Sequence, residues 1–348
     1  MPTTVILATL ASSTIVSIVG TAAGVLLAAG VVFLLARYLP IMVNLIVSVT
    51  MPPRNGHPTT LRASSLSKSH DDRFEGEEVT FETADGLTLT GTLGPAPVED
   101  SSAPIIVFCH ELAASRHSAT RHAWFLHEAG FRVFSFDFRG HGDSEHPSGY
   151  DPRPWITEYE MLDLRAALRY LRSREDLAGL PMGLFGVSRG GVAAIVASTA
   201  DPSVSAVVTD GAFSTSHTLD SYLRRWAPFF VDSPLLLGAP DRMFSLFRWL
   251  GTKLAERRLR VRFVSLVPAL RRLKTPVLFL HGEADSYVES EQATLLYEAA
   301  DGPKELWVVP EASHNQAVDV APLEYRRRVV SFFRNTLEAT EPLAVAAC

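Results

Sequence analysis

The chain has 348 residues, a formal net charge of −6 and 47% hydrophobic residues, with a mean hydropathy of +0.13. That length holds one large domain or two small ones. Two cysteines, Cys109 in an apolar run and Cys348 at the last position, exclude a disulfide framework, whereas the net charge excludes no class of partner.

The hydrophobic excess sits at one end. No charged residue appears from Val5 to Leu35, and apolar character resumes from Leu39 to Val49. About 20 apolar residues suffice to cross a bilayer. No Lys or Arg precedes the run, and it is too long for the apolar core of a signal peptide. Residues 1–51 are therefore expected to form a transmembrane anchor with an interfacial segment. Two passes would draw Arg37 into hydrocarbon at a cost of about 3 kcal/mol. The cheaper arrangement is one tilted span ending near Arg37, then a stretch broken at Pro40. Arg37, Arg54, Arg62 and Lys68 all follow the span, so the positive-inside rule puts the remainder in the cytoplasm of a cell-membrane protein. Gly20 and Gly24 form a G-x-x-x-G pair that permits helix dimerisation, but small residues are common in such helices. Oligomeric state stays open.

Residues 52–73, rich in Pro, Ser, His and charge, read as a linker. From 74 to 340 strand and helix patterns alternate. Glu77–Thr83 and Leu87–Thr92 follow the strand period around Asp85-Gly86, a hairpin signal. Ile105–Cys109, Val133–Phe138, Met182–Phe185, Ser205–Thr209 and Val277–Leu280 read as central strands, followed by Leu306–Val309. Helical patterns lie between them at Trp155–Arg174 and Glu291–Ala300, with a closing helix at Leu323–Leu337. The pattern is an α/β sheet with crossover helices. Residues 341–348 form a tail.

Chemistry concentrates at the ends of these strands. Gly186-Val187-Ser188-Arg189-Gly190 fits the G-x-S-x-G turn that lifts a serine hydroxyl above a sheet between strand and helix. The helix starting after Ser188 points its free N–H groups at the hydroxyl, which favours an oxyanion there. Of the 11 histidines, His314 stands out in a loop just after the last apolar strand. Two acids are placed to serve it: Asp285 after the seventh strand, and Asp210 at the end of the sixth. The order Ser, Asp, His holds with either acid, and the loop position of Asp285 after the seventh strand favours it. The other readings are plain structural ones: an incidental serine in a Gly-rich turn, a surface histidine, a turn-forming aspartate.

Further pieces share those positions: Asp137-Phe138-Arg139-Gly140-His141-Gly142-Asp143-Ser144 after the fourth strand, His281-Gly282-Glu283-Ala284-Asp285 after the seventh, and Glu311-Ala312-Ser313-His314-Asn315 after the eighth. With them, the chain from about Glu77 to Leu337 resembles the α/β-hydrolase superfamily. It most resembles the serine-aminopeptidase and monoglyceride-lipase-like branch, including its membrane-anchored members. The resemblance implies a mostly parallel eight-stranded sheet with helices on both faces and a helical cap insertion. It implies Ser188 as nucleophile, His314 as general base and then acid, and Asp285 as the residue that orients the imidazole. The oxyanion hole would take backbone N–H groups from Arg189 and Leu112. Relatives carry His-Gly where this chain has His110-Glu111, so Glu111 sets a side chain and a negative charge beside that site. Its carboxylate binds His110, binds a substrate amine, or points to solvent. His110, Arg139 and Asp143 read as residues that fix loops.

The long segment between the sixth and seventh strands, about 213–273, would be the cap that selects substrates. Residues 242–274 carry ten basic residues against one acid, Glu256, interleaved with Met243, Phe244, Leu246, Phe247, Trp249, Leu250 and Leu254. Such a segment reads either as a membrane-surface element or as a lid whose arginines are merely solvated. No phosphate-binding loop, metal-ligand spacing or nucleic-acid motif appears, and no metal or organic cofactor is expected. The leading expectation is a membrane-anchored serine hydrolase acting on a small or lipid-like acyl substrate: an ester, thioester or small amide. The alternatives are an acyltransferase using the same triad and a catalytically inactive binding protein of the same fold.

Overall fold

The computed structural model describes residues 3–50, 74–97, 102–229, 238 and 240–338. The expected linker 52–73 and tail 341–348 lie outside the described residues. Two compact units divide the chain: Met1–Val49 with Leu219–Arg260, and Thr50–Thr218 with Val261–Cys348.

The second unit contains one eight-stranded sheet in the order β1-β2-β4-β3-β5-β6-β7-β8. Its strands are β1 (Glu77–Glu82), β2 (Thr88–Leu93), β3 (Ile105–Cys109), β4 (Arg132–Phe136), β5 (Met182–Val187), β6 (Val204–Asp210), β7 (Val277–Gly282) and β8 (Lys304–Val309). The hairpin β1–β2 is antiparallel, as is β2–β4, and every pairing from β4 to β8 is parallel. Sequence pattern explains the difference. β1 alternates exposed and buried side chains along most of its length, whereas every residue of β3, β4, β5 and β7 is buried. Continuous apolar runs of that kind belong to strands covered on both faces.

Local signals fix the element ends. Gly86 at φ +84° closes the first hairpin, where Thr83 N–H donates to Leu87 O at 2.9 Å. The helix expected from Trp155 begins at Glu158 instead. Thr157 caps it, and Glu160 Oε2 accepts from both the Thr157 N–H at 2.8 Å and the Thr157 hydroxyl at 2.6 Å. A reciprocal cap of this type fixes the start of the helix. The helices used below are α1 (Thr3–Thr50), α2 (Glu158–Ser173), α3 (Arg189–Ser198), α4 (Thr215–Trp226), α5 (Asp241–Leu259) and α6 (Pro322–Phe333).

The first unit corrects one expectation. α1 is not broken at Pro40 but runs through it to Thr50. Proline forfeits one helical hydrogen bond, yet this half of α1 is held by packing: a Cβ on Gly251 of α5 would meet Ile46 and Met42 at 3.1 Å, and Arg258 of α5 donates to Asn44 Oδ1 at 2.6 Å. Tertiary contacts override the local penalty. Val19–Thr50 is long and apolar enough to cross a membrane, with a mean hydropathy of 2.3 in its best window.

Candidate active site

The strand-to-helix turn between β5 and α3 holds Ser188 at φ +52°, ψ −118°, a strained conformation for any residue with a Cβ. Two glycines make the turn possible. A Cβ on Gly186 would collide with the Gly190 carbonyl, and one on Gly190 with the carbonyl of Cys109. The Ser188 N–H donates to Asp210 O at 2.7 Å, pinning the turn to the end of β6.

Ser188 is 8% exposed, so its hydroxyl is sheltered but reachable. Ser188 Oγ lies 2.9 Å from His314 Nε2, and His314 Nδ1 lies 2.6 Å from Asp285 Oδ2. These lengths define one chain of hydrogen bonds with the proton of the imidazole on Nδ1 and Nε2 free to accept from the serine. The three residues come from loops after β5, β7 and β8, at the carboxyl ends of parallel strands where α/β sheets place ligands.

Asp285 is held from both sides. Its Oδ1 accepts the N–H groups of Tyr287 and Val288, each at 2.9 Å. Burial opposes ionisation, but the His314 bond, the nearby imidazole charge and the Val288 N–H outweigh it and hold the carboxyl below its ordinary range. His281, buried, turns its Nε2 to Val288 O at 2.9 Å and stands 3.6 Å from Asp285. Burial pushes its imidazole down, toward the neutral form.

Asp210, the other acid, does not bond His314. Its Oδ2 accepts the Tyr325 hydroxyl of α6 at 3.0 Å, and Oδ1 finds no partner among the described residues. Burial pushes it up to about 6, against the opposing Tyr325 bond. Next to it, Gly211 has φ +69° and sits against the imidazole: a Cβ there would lie 3.2 Å from His314 Cε1. Sequence reading missed this residue, although an Asp-Gly pair closing an apolar strand was the available signal.

Of the two residues expected at the oxyanion hole, Arg189 follows the serine directly in the turn. Arg189 opens α3, where backbone N–H groups have no partner within the helix. The loop carrying Leu112 touches the same turn, since the Cβ forbidden at Gly190 would also press on His110 O at 2.8 Å. His110 anchors this loop. Its Nε2 accepts the Phe138 N–H at 3.1 Å, so Nδ1 carries the proton and donates to Glu111 O at 2.6 Å. Burial lowers its pKa to about 3. The partner of His110 is thus the backbone of Glu111, not its carboxylate. The Glu111 side chain is half-buried and accepts the Ser118 hydroxyl at 2.9 and 3.1 Å. Burial raises its pKa, with the Ser118 bond and the charges of Arg121 and His314 acting the other way.

The loop after β4 is fixed as expected. Arg139 pairs with Asp163 at 2.6 Å and Asp85 at 2.8 Å, and Asp137 accepts the Asp143 N–H at 3.0 Å and the Arg116 N–H at 2.6 Å. A second residue that sequence reading missed is Glu160. Its carboxylate pairs with the buried Arg189 guanidinium at 2.5 Å and accepts the Tyr150 hydroxyl. This ion pair clamps Arg189, the first residue of α3 and the one that follows the serine. Among the described residues, no group of three His, Cys, Asp or Glu side chains is arranged to hold a metal ion.

Residues 104–268 match a family described as having the alpha/beta hydrolase fold. The chain is 25% identical over 274 residues to the uncharacterized protein YfhR of Escherichia coli O157:H7, covering 76% of this chain and 83% of that one. It is 26% identical over 241 residues to the uncharacterized protein YqkD of Bacillus subtilis (strain 168), covering 68% and 73%. Among solved structures, the Pyrococcus furiosus esterase Pf2001 aligns with a TM-score of 0.56 at 24% identity, over 76% of this chain and 91% of that chain. The esterase domain of a Rhodothermus marinus protein aligns with a TM-score of 0.51 at 24% identity, over 75% and 99%.

Proposed function

We propose that the chain, whose residues 104–268 match a family with the alpha/beta hydrolase fold, is a membrane-anchored serine hydrolase of that superfamily, cleaving an ester, thioester or small amide through an acyl-enzyme on Ser188. The observation that carries this reading is the Ser188–His314–Asp285 chain of hydrogen bonds, at 2.9 and 2.6 Å, ending in a carboxylate held ionised.

The geometry supports a defined sequence of proton movements. Ser188 Oγ gives its proton to His314 Nε2 as the oxygen attacks the acyl carbon. Asp285 keeps the imidazole in the required tautomer and stabilises the imidazolium without taking a proton. Charge developing on the carbonyl oxygen meets the N–H groups of Arg189 and Leu112. His314 then protonates the leaving group, the acyl chain stays on Ser188, and a water activated by His314 releases it. Substrate selection falls to the insertion between β6 and β7. The esterases that share this fold make esters the first substrates to try.

Membrane placement rests on α1, whose Val19–Thr50 stretch is apolar and long enough to span, and the basic residues after it support a cytoplasmic catalytic unit. The exposed stripe of α5, Arg242, Leu246, Trp249, Lys253 and Arg257, supports a second, surface contact with lipid.

Stopped-flow hydrolysis of a p-nitrophenyl ester tests the chemistry. A burst equal to the enzyme concentration, followed by slower turnover, is expected from the full chain, and none from Ser188→Ala. A burst retained by that variant contradicts the nucleophile. Resistance to alkaline extraction from membranes tests the anchor separately.

A further inference from the structure

A groove of about 540 Å3 runs between α1 and α5, walled by Val32, Leu35, Leu39 and Val43 on one side and Leu254 on the other. Its volume falls in the range of small-molecule sites. Its polar groups gather at one end, where Arg258 donates to Asn44 Oδ1 at 2.6 Å. Val32 marks the opposite end, twelve residues earlier on the same helix, or about 18 Å at 1.5 Å per residue. Beyond Val32 the helix continues as exposed apolar surface through Val31, Leu26 and Val25. The groove therefore has one cationic end and one end opening onto the apolar stretch of α1.

α1 is far longer than a bilayer requires: 48 residues, against about 20 for the hydrocarbon core. Part of it must stand outside the hydrocarbon, and Arg37 with Tyr38, whose ring it meets at 5.5 Å, is the pair suited to the interface. Groove residues lie on both sides of that pair. Charge on α5 selects the headgroup. Arg248 is paired with Asp220 and Lys253 with Glu256, but Arg258 has no carboxylate partner among the described residues. A guanidinium has five N–H donors in a fork that matches phosphate oxygens.

We propose that this groove binds one acyl chain of an anionic phospholipid from the leaflet at the C-terminal half of α1, with the lipid phosphate on Arg258. The site rests on the reading of α1 as a membrane anchor and is independent of the triad. Head and tail follow the bilayer's own polarity: phosphate at Asn44 and Arg258, chain running toward Val32 and the span.

The test reconstitutes the full chain into vesicles of phosphatidylglycerol or phosphatidylcholine, each carrying a diazirine on one acyl chain, followed by irradiation and peptide mapping. Adducts on Leu39, Val43 and Leu254 are expected, more with phosphatidylglycerol. Leu254→Trp, which fills the groove, should abolish them while the protein still floats with the vesicles. Val43→Trp fills it from the opposite wall and serves if the first variant does not fold. Arg258→Gln should cut the preference for phosphatidylglycerol about fivefold, the share of one basic residue at an anionic surface. Adducts confined to residues before Val31 and unchanged by either tryptophan overturn the site and leave the anchor standing. Equal labelling by the two lipids overturns the preference for an anionic lipid. Failure of the protein to float removes the anchor and the site together.

Discussion

Two acids lie beside one imidazole, and their surroundings make them different groups. Asp285 receives N–H donors from Tyr287 and Val288 on one oxygen and His314 on the other. Asp210, also buried, receives only the Tyr325 hydroxyl and leaves Oδ1 bare among the described residues. Burial penalises both charges. Donors overcome it at Asp285, whose pKa falls, and fail to at Asp210, which rises to about 6. Which carboxyl stays ionised is thus decided by the donors of the loop, not by nearness to the sheet.

That contrast breaks most severely if Ser188 is not what His314 serves. Ser188→Ala should lower ester turnover about 10⁶-fold with an unchanged melting temperature; activity within an order of magnitude of the parent would make both acids irrelevant. The acids themselves are separated by paired variants. Asp285→Asn should cost about 10⁴-fold in kcat, because an amide supports the wrong tautomer. Asp210→Asn should leave kcat near that of the parent. A reversed ranking in the same ester assay would move the acid to β6. Gly211→Ala probes the space between them. At φ +69°, 3.2 Å from the imidazole, an added methyl should push His314 off its line and reduce kcat about 10²-fold, the cost of a displacement near 1 Å. KM should change little.

The smallest effect is on stability, and its sign separates the acids. A carboxyl raised from 3.8 to about 6 binds its proton more tightly folded than unfolded. Stability from Asp210 therefore declines as pH rises from about 4 to about 6, and the penalty is complete above that. Asp210→Asn should be more stable than the parent by roughly 1–3 kcal/mol at pH 7, and the gain should vanish at pH 4. Asp285, with its pKa lowered, contributes stability above its unfolded value that is lost as pH falls through the folded one. Urea unfolding of the parent and Asp210→Asn at pH 4 and 7 measures this; a gain at pH 4 that equals the gain at pH 7 would show Asp210 carries no raised pKa.

Much of the sheet was legible because strand and helix periods differ, and buried parallel strands such as β3 and β5 read as unbroken apolar runs. Ser188, Asp285 and His314 were legible because each sits in a short motif immediately after such a run. The residues that tune the site were not. Glu160 meets Arg189 across 29 positions of chain, and nothing local marks a capping glutamate as the partner of a buried guanidinium. Gly211 looks like an ordinary turn glycine until the imidazole is seen against it. Pro40 misled in the other direction: its local cost is real, but the contacts of Met42, Ile46 and Asn44 with α5 come from residues two hundred positions away.

Fluorophosphonate labelling of the full chain, read by peptide mapping, tests the assignment of Ser188 most directly, because it reports an activated serine without needing the physiological substrate. A Ser188-centred relay predicts one adduct, on the peptide bearing Ser188, formed far more slowly in Asp285→Asn, at nearly the parent rate in Asp210→Asn, and absent from Ser188→Ala. A stoichiometric adduct on another serine, or full labelling of Ser188→Ala, would contradict it.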